Sequence, residues 1–201
     1  SLVLHATASP VAWYGTDFNS AHAVAARRLA ATTGSDAVIC DESFARFCSR
    51  TDLPDFDFIG LHGVWSWIAE ANRDAILRFV QDRLRPGGVL YLGYNVLPGW
   101  SSFLPVRELL VEHAAAAGGP GAGIVDHVGE AMAFVASLLA TGPAVARDNP
   151  GLADMFAAVQ RQDRNAAMHE LFTGHWQPMF FGTVARRLAP AGLVHAGAAD
   201  F

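Results

Sequence analysis

The stretch from Leu53 to Trp100, LPDFDFIGLHGVWSWIAEANRDAILRFVQDRLRPGGVLYLGYNVLPGW, limits this chain to few folds. Phe56–Leu61 (FDFIGL) is a short apolar run, the pattern of a strand covered on both faces. From Asn72 to Leu84, apolar Ala75, Ile76, Phe79, Val80 and Leu84 recur at helical spacing, a stripe that packs on a sheet. Arg85-Pro86-Gly87-Gly88 then stops the helix, because Pro cannot continue it and Gly supplies a left-handed turn. Val89–Tyr94 (VLYLGY) is a second apolar strand. Strand, crossover helix and strand make a right-handed parallel unit. Ligands of open parallel sheets bind outside the carboxyl ends of the strands. Here those ends carry LHGVWSW and YNVLPGW, rich in polar and aromatic residues, where a purely connecting loop is shorter and built from Gly, Asn or Asp.

A chain of 201 residues supports one substantial core, or a core with a small extra domain. With 52% apolar and 16% charged residues it is globular rather than disordered. All 14 basic residues are arginine, which we read as base composition of the source genome. They are scattered, and the net charge is -5, so no nucleic-acid footprint is expected. Cys40 and Cys48 form no CxxC pair, which suits free thiols in a reducing cytoplasm. Ala131–Ala146, the most apolar stretch, is too short for a bilayer and holds Gly142-Pro143. The first residues form no charged leader, so neither membrane insertion nor secretion is expected. His169 and His175 are six apart with Gly174 between them, unlike the four-residue spacing of a zinc helix, so no metal is expected.

Before the central stretch, Leu2–Ala8 reads as a helix and Val11–Thr16 (VAWYGT) as a strand with Asp17 at its carboxyl end. A carboxylate there offers acceptors to two neighbouring ribose hydroxyls. The alternative is helix capping, since Asp17 and Asn19 both precede a helix over Ala21–Thr33 that Gly34 ends. Asp36–Cys40 is the next strand, followed by Asp41-Glu42-Ser43-Phe44. His62 brings an imidazole, a side chain that suits either proton acceptance or loop hydrogen bonding. Trp65 and Trp67 alternate, so one faces a ligand and the other the core. After Trp100 the sheet pattern stops. Helices are expected over Arg107–Ala117, Ile124–Ala140 and Leu152–Leu171, broken by Gly118–Gly123 and Thr141-Gly142-Pro143. A helix over Phe180–Leu188, a turn at Pro190-Ala191-Gly192 and a strand over Leu193–Ala198 close the chain.

The blocks FDFIGLHGVWSW and LRPGGVLYLGYNVLPGW, with TDFN at Thr16–Asn19 and His169-Glu170 followed by Trp176-Gln177-Pro178-Met179, cover nearly the whole chain. They resemble the bacterial class I S-adenosylmethionine-dependent methyltransferases that carry a methyltransferase regulatory domain, a family that includes lysine methyltransferases acting on outer-membrane proteins. The resemblance implies an α/β fold: a Rossmann-like class I methyltransferase sheet, incomplete, with a helical insert between its fifth and sixth strands. It divides the chain into a core at 1–103, an insert at 104–176 and a return to the core at 177–201. It implies S-adenosyl-L-methionine as cofactor. Asp17, with Phe18, would hold the ribose, and Asp41 the adenine amino group with Ser43 and Phe44 nearby. His62 and Gly63 would line the methyl end, with Trp65, Tyr94 and Asn95 completing the catalytic group. The partner would be a methyl acceptor, by analogy a protein side chain such as lysine. The Trp-Gln-Pro-Met block would dock the insert.

The glycine-rich turn that follows the first strand in this class has no counterpart here, so the chain is expected to run from the second to the sixth strand. That first strand lies between the second and the fourth. Without it the two halves of the sheet pair directly, take a strand from another chain in a homo-oligomer, or stay incomplete, since open strand edges are costly to bury. Cofactor binding by the chain alone is then expected to be weak or absent. A non-catalytic interaction module, working through the helical insert, is the alternative; another nucleotide-dependent enzyme such as an oxidoreductase ranks last, lacking its glycine fingerprint.

Overall fold

The computed structural model describes residues 2–117, 124–161 and 171–199. The chain divides into two compact units, one of Ser1–Gly60, Ala69–Tyr91 and Ala191–Leu193, the other of Leu61–Ile68, Leu92–Pro190 and Val194–Phe201. Mixed α/β structure runs through both, with short strands among more numerous helices.

The first unit is built from α1 (Leu2–Ala8), β1 (Tyr14–Asp17), α2 (Ser20–Thr33), β2 (Val38–Asp41), α3 (Phe44–Cys48), β3 (Phe56–Leu61), α4 (Glu70–Arg83) and β4 (Leu84–Leu92), the last residues of β3 and β4 falling in the second unit. Helix α2 begins at Asn19, whose side chain accepts from the Ala21 N–H, and ends at Gly34 in the left-handed conformation, φ 66°. Strands β1 and β2 pair in parallel, Tyr14 opposite Val38 and Asp17 opposite Asp41. Strands β3 and β4 form a second pair. Among the described residues the two pairs are separate sheets, so the halves do not join directly. Their core is aromatic: the Phe79 ring lies 5.8 Å from Phe56 and 5.9 Å from Phe47, and Tyr14 meets Phe56 edge-on at 5.6 Å. The expected stripe on α4 is in place, with Ala75, Ile76, Phe79 and Val80 buried.

Two expectations change here. Strand β4 begins directly after α4 and takes in Arg85-Pro86-Gly87-Gly88, which the sequence assigns to a turn. Gly87 does adopt a positive φ of 81°. The segment is nevertheless drawn against β3: the Arg85 guanidinium sits 2.9 Å from the Asp57 carboxylate. A side chain at Gly88 would meet the Asp57 carbonyl at 3.1 Å. Nor are the strands covered on both faces, because Phe58 and Val89 are exposed.

The second unit contains β5 (Val96–Leu97), α5 (Leu104–Ala117), α6 (Ile124–Ala140), α7 (Ala144–Asp148), α8 (Gly151–Arg161), β6 (Met179–Phe180) and α9 (Phe181–Leu188). Phe103, Val106, Leu110, Val135, Leu152 and Phe156 are the heart of its core, each 4% exposed or less. The rest of the expected helix Leu152–Leu171 falls largely on 162–170, outside the described residues. Strands β5 and β6, absent from the sequence reading, pair in parallel with Val96 opposite Met179 and Leu97 opposite Phe180. Leu193–Ala198 is not a strand. Val194 there is 88% exposed, while Leu193 is partly buried and His195 meets the Phe181 ring edge-on at 4.7 Å. Among the described residues no helix is long and apolar enough to cross a membrane.

Candidate functional site

In the first unit the parallel register sets Asp17 and Asp41 side by side at the carboxyl ends of β1 and β2. The first turn of α2 leans on both. Asp17 Oδ1 accepts the Asn19 N–H at 2.9 Å, and its Oδ2 lies 3.4 Å from His22 Nδ1. Asp41 Oδ1 accepts the Ser20 hydroxyl at 3.0 Å. Asn19 therefore caps the helix, which frees Asp17 from the capping role that the sequence left open. The Asp17 side chain is 40% exposed and Asp41 is exposed, so both retain lone pairs for outside donors.

The neighbours differ in what they can contribute. Phe18 is 63% exposed beside Asp17. Ser43 accepts the Arg46 N–H at 3.4 Å and caps α3, and Phe44 is half-buried in that helix's first turn. Glu42 turns inward to Arg46 at 3.4 Å and Arg50 at 3.6 Å. The Thr16 hydroxyl holds the Glu42 carbonyl at 2.6 Å. Arg50 donates to Asp52 at 2.9 Å, which keeps the Asp52 carboxyl below its usual range. Burial pushes the free Cys48 thiol up to about 11 and raises the Cys40 thiol as well.

In the second unit the loop after β3 carries His62 and Gly63 on its exposed rim, Gly63 at a φ of 74° that suits only glycine. The loop then turns inward. Trp65 is 1% and Ser66 0% exposed. The Asn95 N–H donates to Ser66 Oγ at 2.7 Å. The Gln177 N–H donates to the Ser66 carbonyl at 2.6 Å, and the Met179 N–H to the Asn95 carbonyl at 2.9 Å. The Arg187 guanidinium lies 6.0 Å from the Trp65 ring centre. Trp65 is thus the buried member of the tryptophan pair and Trp67 the half-buried one. Asn95 is likewise inside, 8% exposed, and acts as a fastening. Tyr94 is half-buried, and burial raises its phenol.

The Trp-Gln-Pro-Met block is held from α5. Arg107 Nε donates to the Leu171 carbonyl at 2.7 Å and Nη2 to the Thr173 carbonyl at 2.9 Å. Its guanidinium lies 5.3 Å from the Trp176 ring centre, and Trp176 meets Trp100 edge-on at 5.8 Å. His169 and Glu170 lie outside the described residues; among those described, no cluster of His, Cys, Asp or Glu could hold a metal ion. His22, Ser66 and Arg107 escape sequence reasoning, since each is significant only through a partner distant in sequence or folded beside it; the sole local hint is the place of Ser66 inside Trp-Ser-Trp.

Residues 163–201 match the family described as "predicted methyltransferase regulatory domain". The match thus overlaps the expected insert only at its end and takes in the Trp-Gln-Pro-Met block and α9. An uncharacterized protein of Synechocystis sp., sll1526, is 36% identical over 188 residues, covering 93% of this chain and 36% of that protein. An uncharacterized Rickettsia prowazekii protein, RP789, is 38% identical over 72 residues, 34% of this chain and 13% of that protein. Among solved structures, PKMT2 from Rickettsia typhi superimposes with a TM-score of 0.71 at 19% identity in its complex with AdoHcy, covering 94% of this chain and 36% of that one. A second PKMT2 structure gives 0.70. This chain spans little more than a third of the length of sll1526 and PKMT2, and less of RP789. The chain therefore shares the fold of the corresponding part of PKMT2 and carries, at 163–201, a segment that matches the family described as predicted methyltransferase regulatory domain.

Proposed function

We propose that this chain serves a cytoplasmic S-adenosylmethionine-dependent methyltransferase whose acceptor is a protein side chain, lysine by family analogy. The observation that carries the reading is the pair of exposed carboxylates, Asp17 and Asp41, in register at the carboxyl tips of adjacent parallel strands. This is where an α/β sheet binds a nucleoside, and paired carboxylates are the acceptors that ribose hydroxyls and an adenine amino group need. The AdoHcy complex of the structurally similar PKMT2 supports the same cofactor.

When bound, S-adenosylmethionine supplies an electrophilic methyl group. Asp17 would accept from the ribose, steadied by the Asn19 N–H and His22. Asp41, steadied by Ser20, would accept from the adenine, with Phe18 and Phe44 offering apolar contact. Ser43 contributes by setting the start of α3 rather than through a free hydroxyl. At the methyl end His62 is the exposed group that can take an acceptor's proton, and Gly63 lets the backbone turn there. Tyr94 supplies a half-buried phenol, while Trp65 and Asn95 hold the loop. Such a transfer needs alignment and a dry pocket more than an elaborate catalytic set.

Isothermal titration of S-adenosylhomocysteine into the protein carrying this chain tests the reading. Binding that weakens at least tenfold in Asp17→Ala supports it; a wild-type protein that binds none overturns it. A second reading, a non-catalytic interaction module, is favoured by one observation, the self-contained core of α5, α6 and α8. Partner capture indifferent to cofactor and to Asp17→Ala would select it.

A further inference from the structure

The loop that bears His62 and Gly63 belongs to the same compact unit as residues 92–190, apart from the strands that precede it. Three chain segments meet on one residue of it. Ser66, wholly buried, accepts the Asn95 N–H through its hydroxyl at 2.7 Å and the Gln177 N–H through its carbonyl at 2.6 Å. Asn95 in turn accepts the Met179 N–H at 2.9 Å, which closes a ring of hydrogen bonds through Ser66, Asn95, Met179 and Gln177. The bonds lie where β5 pairs with β6, and Arg187 of α9 covers the adjoining Trp65 ring. Gln177, Met179 and Arg187 all fall in the span that matches the regulatory domain family, whereas Ser66 and Asn95 fall in the two loops at the strand tips.

We propose that Ser66 is a positioning residue, the clasp through which the 177–187 segment sets the shape of the loop bearing His62 and Gly63. The proposal rests on the methyltransferase reading for its consequence, but its geometry stands apart from it. Buried and satisfied hydrogen bonds of this kind have a single low-energy arrangement. A shift of the 177–180 backbone must therefore move Ser66 with it. Because Gly63 and His62 are only three and four residues from Ser66, with a positive-φ turn between, the displacement passes to the rim of the loop. Asp17 and Asp41 have no part in the clasp. Loosening it should alter transfer to the acceptor while leaving cofactor affinity nearly as it was, which is not what a generally destabilised enzyme does.

The test uses Gln177→Pro, which deletes the N–H that Ser66 receives, and Ser66→Ala, with Ser66→Thr as the rescue that keeps the hydroxyl. Hydrogen exchange by mass spectrometry is read in the full protein at peptides covering 61–68, 92–97, 177–180, α5 and α6. Gln177→Pro should speed exchange at 61–68 and at Asn95 about tenfold, with α5 unchanged. Ser66→Ala should speed it at Asn95 and at 177–179, and Ser66→Thr should restore most of that protection. If Gln177→Pro leaves 61–68 at its wild-type rate, or raises exchange equally across α5 and α6, the clasp is refuted. This readout requires no cofactor, so a protein that fails to bind S-adenosylhomocysteine overturns the methyltransferase reading while leaving the clasp to its own result. In an enzyme that does bind, Ser66→Ala should lower kcat at least tenfold with the S-adenosylhomocysteine affinity within threefold; equal loss of both would remove its positioning role.

Discussion

Removal of Arg107 should release the segment that joins α8 to β6, and the size of the effect follows from its contacts. Its guanidinium makes two charge-assisted hydrogen bonds, to the Leu171 carbonyl at 2.7 Å and the Thr173 carbonyl at 2.9 Å. Bonds from a charged group contribute about 1.5–3 kcal/mol each. The stack over Trp176 adds about 0.5–1 kcal/mol. The contact with Glu108 adds little, because Glu108 is 62% exposed. The sum overstates the loss, since water can enter and satisfy the two carbonyls, so we expect Arg107→Ala to destabilise the unit by about 3–4 kcal/mol. Lysine keeps the charge but offers a point donor in place of a fork, and Arg107→Lys should recover no more than about half. Urea unfolding followed by tryptophan fluorescence reports on this region, since Trp100 and Trp176 are partners there. Unfolding free energies within about 0.5 kcal/mol of wild type for both variants would show that Arg107 does not fasten 171–176.

Other outcomes follow from the same contacts. Asp41→Ala should weaken S-adenosylhomocysteine binding tenfold or more, as about 1.5 kcal/mol is the lower range for a charged hydrogen bond, and titration beside Asp17→Ala checks it. Leu110→Ala, in a fully buried position among Phe103, Val135 and Leu152, should cost about 2–5 kcal/mol by calorimetry, and a loss below about 1 kcal/mol would mean that α5 is not central to that core. The Cys48 thiol, pushed from 9.0 up to about 11 by burial, keeps its proton in the folded state where the unfolded chain has lost it. Its stabilising contribution is therefore full below pH 9 and fades between about pH 9 and 11. Partial exposure trims the loss to about 1–2 kcal/mol, and Cys48→Ala should flatten that limb of the pH profile relative to wild type.

The parts of the fold legible in the sequence are those fixed by local pattern. Phe56–Leu61 and Ile124–Ala140 have the expected bounds, and α4 starts two residues earlier than its apolar stripe suggested. The place of Asp17 at a strand tip was legible because a strand, a carboxylate and a following helix are adjacent in sequence. What escaped depends on tertiary contact. The Arg-Pro-Gly-Gly segment reads as a turn by composition, yet the Arg85–Asp57 pair draws it alongside β3. LVHAGA has the composition of a strand, yet among the described residues it joins no sheet. Strands β5 and β6 are two residues each and more than 80 residues apart in the chain, so no periodicity announces them.

Trp65 shows how little an aromatic loop in the sequence says about which of its rings is buried. A tryptophan brings a large apolar area and one polar N–H, so it serves a pocket wall and a domain core equally well. Alternation in Trp-Ser-Trp establishes only that the two rings point apart. The direction is decided by Ser66 between them: its buried carbonyl and hydroxyl can be satisfied only by turning toward Gln177 and Asn95, and that turn carries Trp65 inward under Arg187. The exposed rim then falls to His62 and Gly63. The residues of each unit are thus held by a different route. Local contacts from Asn19, Ser20 and His22 orient the two carboxylates, while bonds from Asn95 and Gln177, distant in sequence, orient the loop. Substitutions in the first turn of α2 should accordingly act on cofactor affinity, and substitutions in 177–187 on the loop. A His22→Ala variant that altered hydrogen exchange at 61–68 as strongly as Gln177→Pro would contradict this separation.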